Sequence, residues 1–156
     1  GYGYDWWNNW NYVEENPSDG DGTYVYDGSS SSGYATDVYD TANPGAASGT
    51  ITSVTVYVVA RQEQSWNNND ESEVRIALRI GSTTYYGTEE TLTDDWVEYS
   101  YTFDTNPAGG AWGTNWGTIN SMQIGASLMS ADTYGGSDGT CYAYCTQVYV
   151  VVTYTP

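Results

Sequence analysis

The chain has no lysine and no histidine, and its only basic residues are Arg61, Arg75 and Arg79, set against 20 Asp and Glu. Without histidine there is no Ser-His-Asp or Cys-His machinery and no imidazole zinc site. Without lysine there is no Schiff base, phosphate-loop lysine or isopeptide cross-link. The formal net charge of −17 repels the phosphate backbone and anionic lipid surfaces, which excludes nucleic acid and membrane surfaces as partners. Phenylalanine is nearly absent, with Phe103 the only one. Long apolar runs are also missing. The longest, Val54–Ala60 (broken by Thr55) and Val148–Val152, fall far short of a membrane span. No window holds twelve good helix formers, so helical organisation is not expected.

What is present is 17 Tyr, 7 Trp and 18 Gly in a chain of 156 residues, the length of one domain. Tyrosine and tryptophan keep one polar edge wet, so this aromatic load suits interfaces and surfaces. With Ser, Thr, Asn and Gly filling much of the rest, the composition is that of a secreted all-β protein.

Period-2 alternation recurs along the chain. Glu73–Ile80 sets Val74, Ile76, Leu78 and Ile80 on one face, with Arg75 and Arg79 on the other. Thr50–Arg61 carries Val54, Val56, Val58 and Ala60 inward. Trp96–Phe103, Asn120–Met129 and Gln147–Tyr154 alternate in the same way, and Thr23–Tyr26, Tyr34–Tyr39 and Thr83–Gly87 are shorter candidates. Gly, Pro, Asn and Asp clusters separate these runs. About eight strands at this spacing predict an all-β, two-sheet sandwich of jelly-roll type, with an immunoglobulin-like sandwich as the nearest alternative.

The first residues form a separate feature. Tyr2, Tyr4, Trp6, Trp10 and Tyr12 occupy even positions, so an extended chain carries five rings on one face, on the order of 1,000 Å² of surface that calls for a partner. Such a strand either completes its own sheet or adds to the edge of a neighbour's. The expected organisation is therefore an aromatic segment over 1–15, a candidate inter-subunit strand, followed by one sandwich domain over 16–156.

Short motifs along the chain point the same way. They are Trp10, Val13 and Glu15; Asp19, Asp21, Thr23, Tyr24 and Val25; and Ile51, Ser53, Val54 and Val56. Further along come Trp96, Tyr99 and Ser100; Asn106, Pro107, Gly110 and Trp112; and Thr146, Gln147, Val148, Tyr149 and Val150. Their order resembles jelly-roll domains of phage virion structural proteins and of secreted filament-forming proteins of environmental microbes. The resemblance covers most of residues 10–154. It implies a non-enzymatic building block of a virion appendage or extracellular filament, and brings no catalytic residues with it.

Other constellations are weaker. Glu14/Glu15, Glu89/Glu90 and Asp94/Asp95 are adjacent pairs that point to opposite faces of a strand, not the converging carboxylates a glycosidase needs. Oxygen-rich loops at Asp19 and Asp21, and at Asn67, Asn69 and Asp70, are candidate Ca²⁺ ligands, although no cofactor is required. Trp112 and Trp116, in a glycine-rich loop, form a candidate glycan or subunit platform, or equally a plug for one end of the sandwich. Cys141 and Cys145 lie roughly 13 Å apart on a continuous strand, beyond disulfide reach, but a turn between them would allow a bridge, which is the expectation here. The functional expectation is an extracellular or virion-surface subunit, not an enzyme, forming a head-to-tail homopolymer by strand insertion. A carbohydrate-binding module that takes glycans as partners is the alternative.

Overall fold

A computed structural model of the chain describes Val13 and residues 23–28, 33–42, 47–64, 71–131 and 141–156. The alternating segments are strands: β1 (Val25–Asp27), β2 (Ala35–Asp40), β3 (Thr50–Gln64), β4 (Glu73–Ile80), β5 (Thr83–Thr91), β6 (Val97–Phe103), β7 (Gln123–Met129) and β8 (Cys141–Thr155), with one short helix, α1 (Trp116–Ser121), between β6 and β7. They form two four-stranded sheets in the orders β1-β8-β3-β6 and β2-β7-β4-β5. Every pairing is antiparallel. The first strand pairs with the eighth, the second with the seventh, the third with the sixth and the fourth with the fifth. That nesting is a long hairpin rolled into two layers, the jelly-roll arrangement.

The predicted inward faces are the observed ones. Val54, Val56, Val58 and Ala60 of β3 face Val74, Ile76 and Leu78 of β4 and Ile124, Ala126 and Leu128 of β7, all buried. Alternation places one apolar row of each strand between the sheets and leaves the polar row in water. Close approach of the layers' own strands also leaves a mark: a Cβ at Gly125 would sit 1.8 Å from the Asp37 carbonyl oxygen of β2, so only glycine fits opposite Val38.

Three expectations need correction. The stretch before β7 is not strand throughout, because Trp116–Ser121 closes into α1, capped by Asn115, whose side chain accepts the Thr118 N–H at 3.3 Å. Its buried Ile119 covers one end of the core. The last strand begins at Cys141, six residues before the predicted start. A register shift where Val59 meets Gln147 and Ala60 meets Cys145 leaves Thr146 as the extra residue, a bulge that changes which parity faces inward.

The third correction follows from the second. Both cysteines lie on the continuous β8, so no turn brings them together and the Cys141–Cys145 bridge is not formed. The Cys141 Sγ lies 3.4 Å from the Gln62 side-chain oxygen, and the Cys145 Sγ 3.6 Å from the Gln147 carbonyl. Burial pushes the Cys145 thiol up to about 12. Cys141 belongs to a buried polar lock at one end of the sandwich, in which Gln62 Oε1 accepts the Ser72 N–H and Ser72 Oγ donates to the Cys141 carbonyl.

Candidate assembly interface

The sheet containing β8 treats that strand's two sides differently. On one side β3 pairs with it from Thr155 back to Cys141. On the other, β1 is three residues long and pairs only with Ala143–Cys145. Past the Thr146 bulge, Val13 meets the strand, its carbonyl accepting the Val148 N–H at 2.9 Å. Among the described residues, nothing pairs with Tyr149–Thr155 on that side. Over these seven residues, roughly 23 Å of strand, the backbone groups of Val150, Val152 and Tyr154 point to that side.

A groove runs beside this edge, between the two sheets, in two compartments. The larger, about 600 Å³, is lined by Val13, Val148, Tyr149 and Val150 on one side and by Tyr39, Asp40 and Ile124 on the other. The smaller, about 330 Å³, is lined by Val150, Val152 and Tyr154 of β8, together with Trp116, Ile119 and Met122. Thr41, Ala42 and Val150 line both and form the waist. Val148, Val150, Val152 and Tyr154 of β8 line the groove together with Tyr149, and Val150 and Val152 are only partly buried. The walls are thus core residues whose layer is incomplete. The hydroxyl of Tyr39 is buried with no hydrogen-bond partner, which costs about 1–3 kcal/mol in an unsatisfied site, and burial drives its pKa upward.

The candidate tryptophan platform separates. Trp112 is 2% exposed, and its indole N–H donates to the Phe103 carbonyl at 2.7 Å, so it closes the core and offers no stacking face to a sugar. Trp116 donates to the Gly49 carbonyl at 3.0 Å and meets Tyr154 edge-to-face at 5.1 Å. It belongs to the wall of the smaller compartment.

The outer face of the β1-β8-β3-β6 sheet carries tyrosines that the strand-by-strand reading did not gather. Tyr57 and Tyr149 stack at 4.6 Å with ring planes 3° apart. Tyr24, Tyr26, Tyr142 and Tyr144 form an edge-packed cluster, with the Arg61 guanidinium 5.3 Å from the Tyr144 ring and 5.1 Å from that of Trp96. On the other sheet Arg75 sits over Tyr34 at 3.5 Å and Tyr86 at 4.5 Å. Two of the three cations are therefore held over aromatic faces.

Tyr2, Tyr4, Trp6, Trp10 and Tyr12, and the calcium candidates Asp19, Asp21, Asn67, Asn69 and Asp70, lie outside the described residues. Among the described residues no three acidic, cysteine or histidine side chains gather as a metal-holding group. Nor is any helix among them long and apolar enough to cross a membrane.

No protein-family model matches the sequence, and no curated protein matches it. Among solved structures, a chain in the cryo-EM atomic structure of Broad Bean Stain Virus is similar at 18% identity over 70% of this chain, with a TM-score of 0.28. The match spans 64% of that chain's length, and at this TM-score it carries no argument about the present protein.

Proposed function

We propose that this protein is a non-enzymatic structural subunit that polymerises head-to-tail, residues 1–12 of one copy adding as a strand to the β8 edge of the next. The observation that carries the reading is the edge at Tyr149–Thr155, unpaired among the described residues and lying beside a groove between the two sheets that is lined largely by apolar side chains. A strand added there hydrogen-bonds to the free backbone groups, and its alternate side chains fill the groove. Tyr2, Tyr4, Trp6, Trp10 and Tyr12 are a row with that spacing. Such a contact is heterologous, so it extends into an open filament instead of closing on itself. The strong negative charge keeps neighbouring polymers apart. An extracellular or virion-surface setting fits this reading. Burial of Trp112 removes half of the platform on which the glycan-binding alternative rested.

The test compares the full chain with a chain lacking residues 1–12 by negative-stain electron microscopy. Filaments from the first and dispersed particles from the second are expected. Filaments from the truncated chain, or none from the full chain, overturn the proposal.

A further inference from the structure

Tyrosine is the chain's principal redox-active side chain, with 17 residues against two cysteines and two methionines, and one pair of tyrosines is set differently from the others. Tyr57 of β3 and Tyr149 of β8 are direct partners in the antiparallel register, so both rings stand on the same outer face of the sheet. They stack with centroids 4.6 Å apart and planes 3° from parallel. The other tyrosine pairs in contact among the described residues are not parallel. Tyr24–Tyr26, Tyr24–Tyr144 and Tyr26–Tyr142 cross at 65–83°, and Tyr26–Tyr144 and Tyr142–Tyr144 at 30° and 46°.

A second feature singles out the same pair. The Tyr149 hydroxyl reaches past β3 to β6 and donates to Glu98 Oε2 at 2.7 Å. Desolvation first, and then the Glu98 carboxylate, raise this phenol to about 12, so at neutral pH it keeps its proton and the carboxylate is the acceptor. Loss of an electron makes a phenol proton strongly acidic, and a hydrogen-bonded carboxylate is a base already in place to take it. Glu98 is exposed and both rings are half-buried, so electron and proton can leave without unfolding.

We propose that Tyr57 and Tyr149 form a cross-linking site, at which a one-electron oxidant of the haem-peroxidase class, working with hydrogen peroxide, joins β3 to β8 by a carbon–carbon bond between the rings. Each phenol gives up one electron and its hydroxyl proton, that of Tyr149 passing to Glu98 and on to solvent. The two phenoxyl radicals carry spin on the ring carbons ortho to oxygen, the Cε atoms, and a parallel stack lets the π orbitals of those carbons overlap face to face. One carbon–carbon bond forms. The hydrogen on each joined carbon then moves to its oxygen, and two aromatic phenols are restored. Two hydrogens leave the chain, and one hydrogen peroxide is reduced to two waters. Because the sheet already holds the rings in contact, coupling within the pair outruns an encounter between chains. The bond ties the strand that carries the unpaired edge to the middle of its sheet, and the proposal stands independently of what adds to that edge.

The test treats the full chain, at low protein concentration, with a haem peroxidase and one equivalent of hydrogen peroxide. The expected product runs as a monomer on denaturing gels and is lighter by two hydrogens in mass spectrometry. Trypsin cuts only after Arg61, Arg75 and Arg79, so Tyr57 and Tyr149 fall on different fragments, 1–61 and 80–156, and tandem spectra should join these through the two residues. The melting temperature should rise by about 10 °C, since closing a loop of about 90 residues removes entropy from the unfolded chain. Tyr57→Phe and Tyr149→Phe, each checked as folded by circular dichroism, should lose the link. Glu98→Gln keeps the stack and should slow coupling about tenfold. Equal yields of links at other tyrosines, links only between chains, or no coupling while free tyrosine in the same mixture couples, overturn the proposal. A Glu98→Gln rate equal to that of the unaltered chain overturns Glu98 as the proton acceptor.

Discussion

The two sides of β8 follow the same residues and end differently. Toward β3 the strand is paired over its whole length, and behind that pairing Val54, Val56 and Val58 are fully buried. Toward β1 it is paired for three residues, meets Val13 once, and beyond that has no pairing strand among the described residues, while Val150 and Val152 stay partly open. The first side is a finished core. The second has the same valine-rich alternation without its layer.

The sharpest way to break that contrast is at the finished end. Trp112→Ala removes a buried indole and leaves the Phe103 carbonyl without its donor. It should lower unfolding free energy by about 3–5 kcal/mol in urea denaturation. A cost under about 1 kcal/mol would mean that this end is not closed.

A matched pair compares the two sides directly, in the chain lacking residues 1–12. Val58→Ala, on the β3 side, should cost about 2–3 kcal/mol by the same measurement, since it removes fully buried methyl groups and leaves a cavity. Val152→Ala, on the groove side, should cost less than about 1 kcal/mol, because its surroundings are already open. Equal costs would mean that the groove is filled without the N-terminal segment.

Alkaline titration reads two acids of this sheet, the buried Cys145 and the half-buried Tyr144. Burial raises Cys145 from 9.0 to about 12, and Tyr144 is raised from 10.0 to about 12, first by burial and then by the Glu63 carboxylate. A raised folded-state value favours the neutral form. Stability is therefore fully present below pH 9 and is lost as the pH climbs from about 9 toward 12. Thermal melts across that range should show a falling transition that Cys145→Ala makes shallower, and a flat profile would contradict the burial. The smallest effect expected is that of reductant. With no Cys141–Cys145 bridge, dithiothreitol should leave the melting temperature unchanged, whereas loss of a real bridge would cost about 2–5 kcal/mol.

The closed side was legible in the sequence because its signal is local. Val54 to Ala60 and Val74 to Ile80 alternate cleanly, and alternation is a direct record of one buried face. The open side was legible in part, for Gln147–Tyr154 alternates as cleanly, but the beginning of its strand was not. Cys141, Ala143 and Cys145 alternate with Tyr142 and Tyr144 too, but small buried residues give a faint pattern and the Thr146 bulge breaks its phase. α1 is six residues long and relies on Asn115 and the packing of Ile119, not on helix propensity. The groove is a property of how far β1 reaches along β8, a tertiary length that no window of sequence contains. The aromatic row at 2–12 was visible as a row in want of a partner, and Trp116 was singled out by its glycine-rich loop, though not its place in the groove's wall.

The most direct test of strand addition at the open edge is a mixing experiment with two variants, each disabled on one side. The chain lacking residues 1–12 keeps the groove and has no donor strand. Ala42→Trp keeps the donor and fills the waist at an exposed position, outside the buried core. Alone, each should sediment as a monomer in analytical ultracentrifugation. Mixed in equal amounts, they should form a one-to-one dimer that grows no further, since only one donor and one groove remain in the pair. Two monomer peaks that persist after mixing would contradict the account.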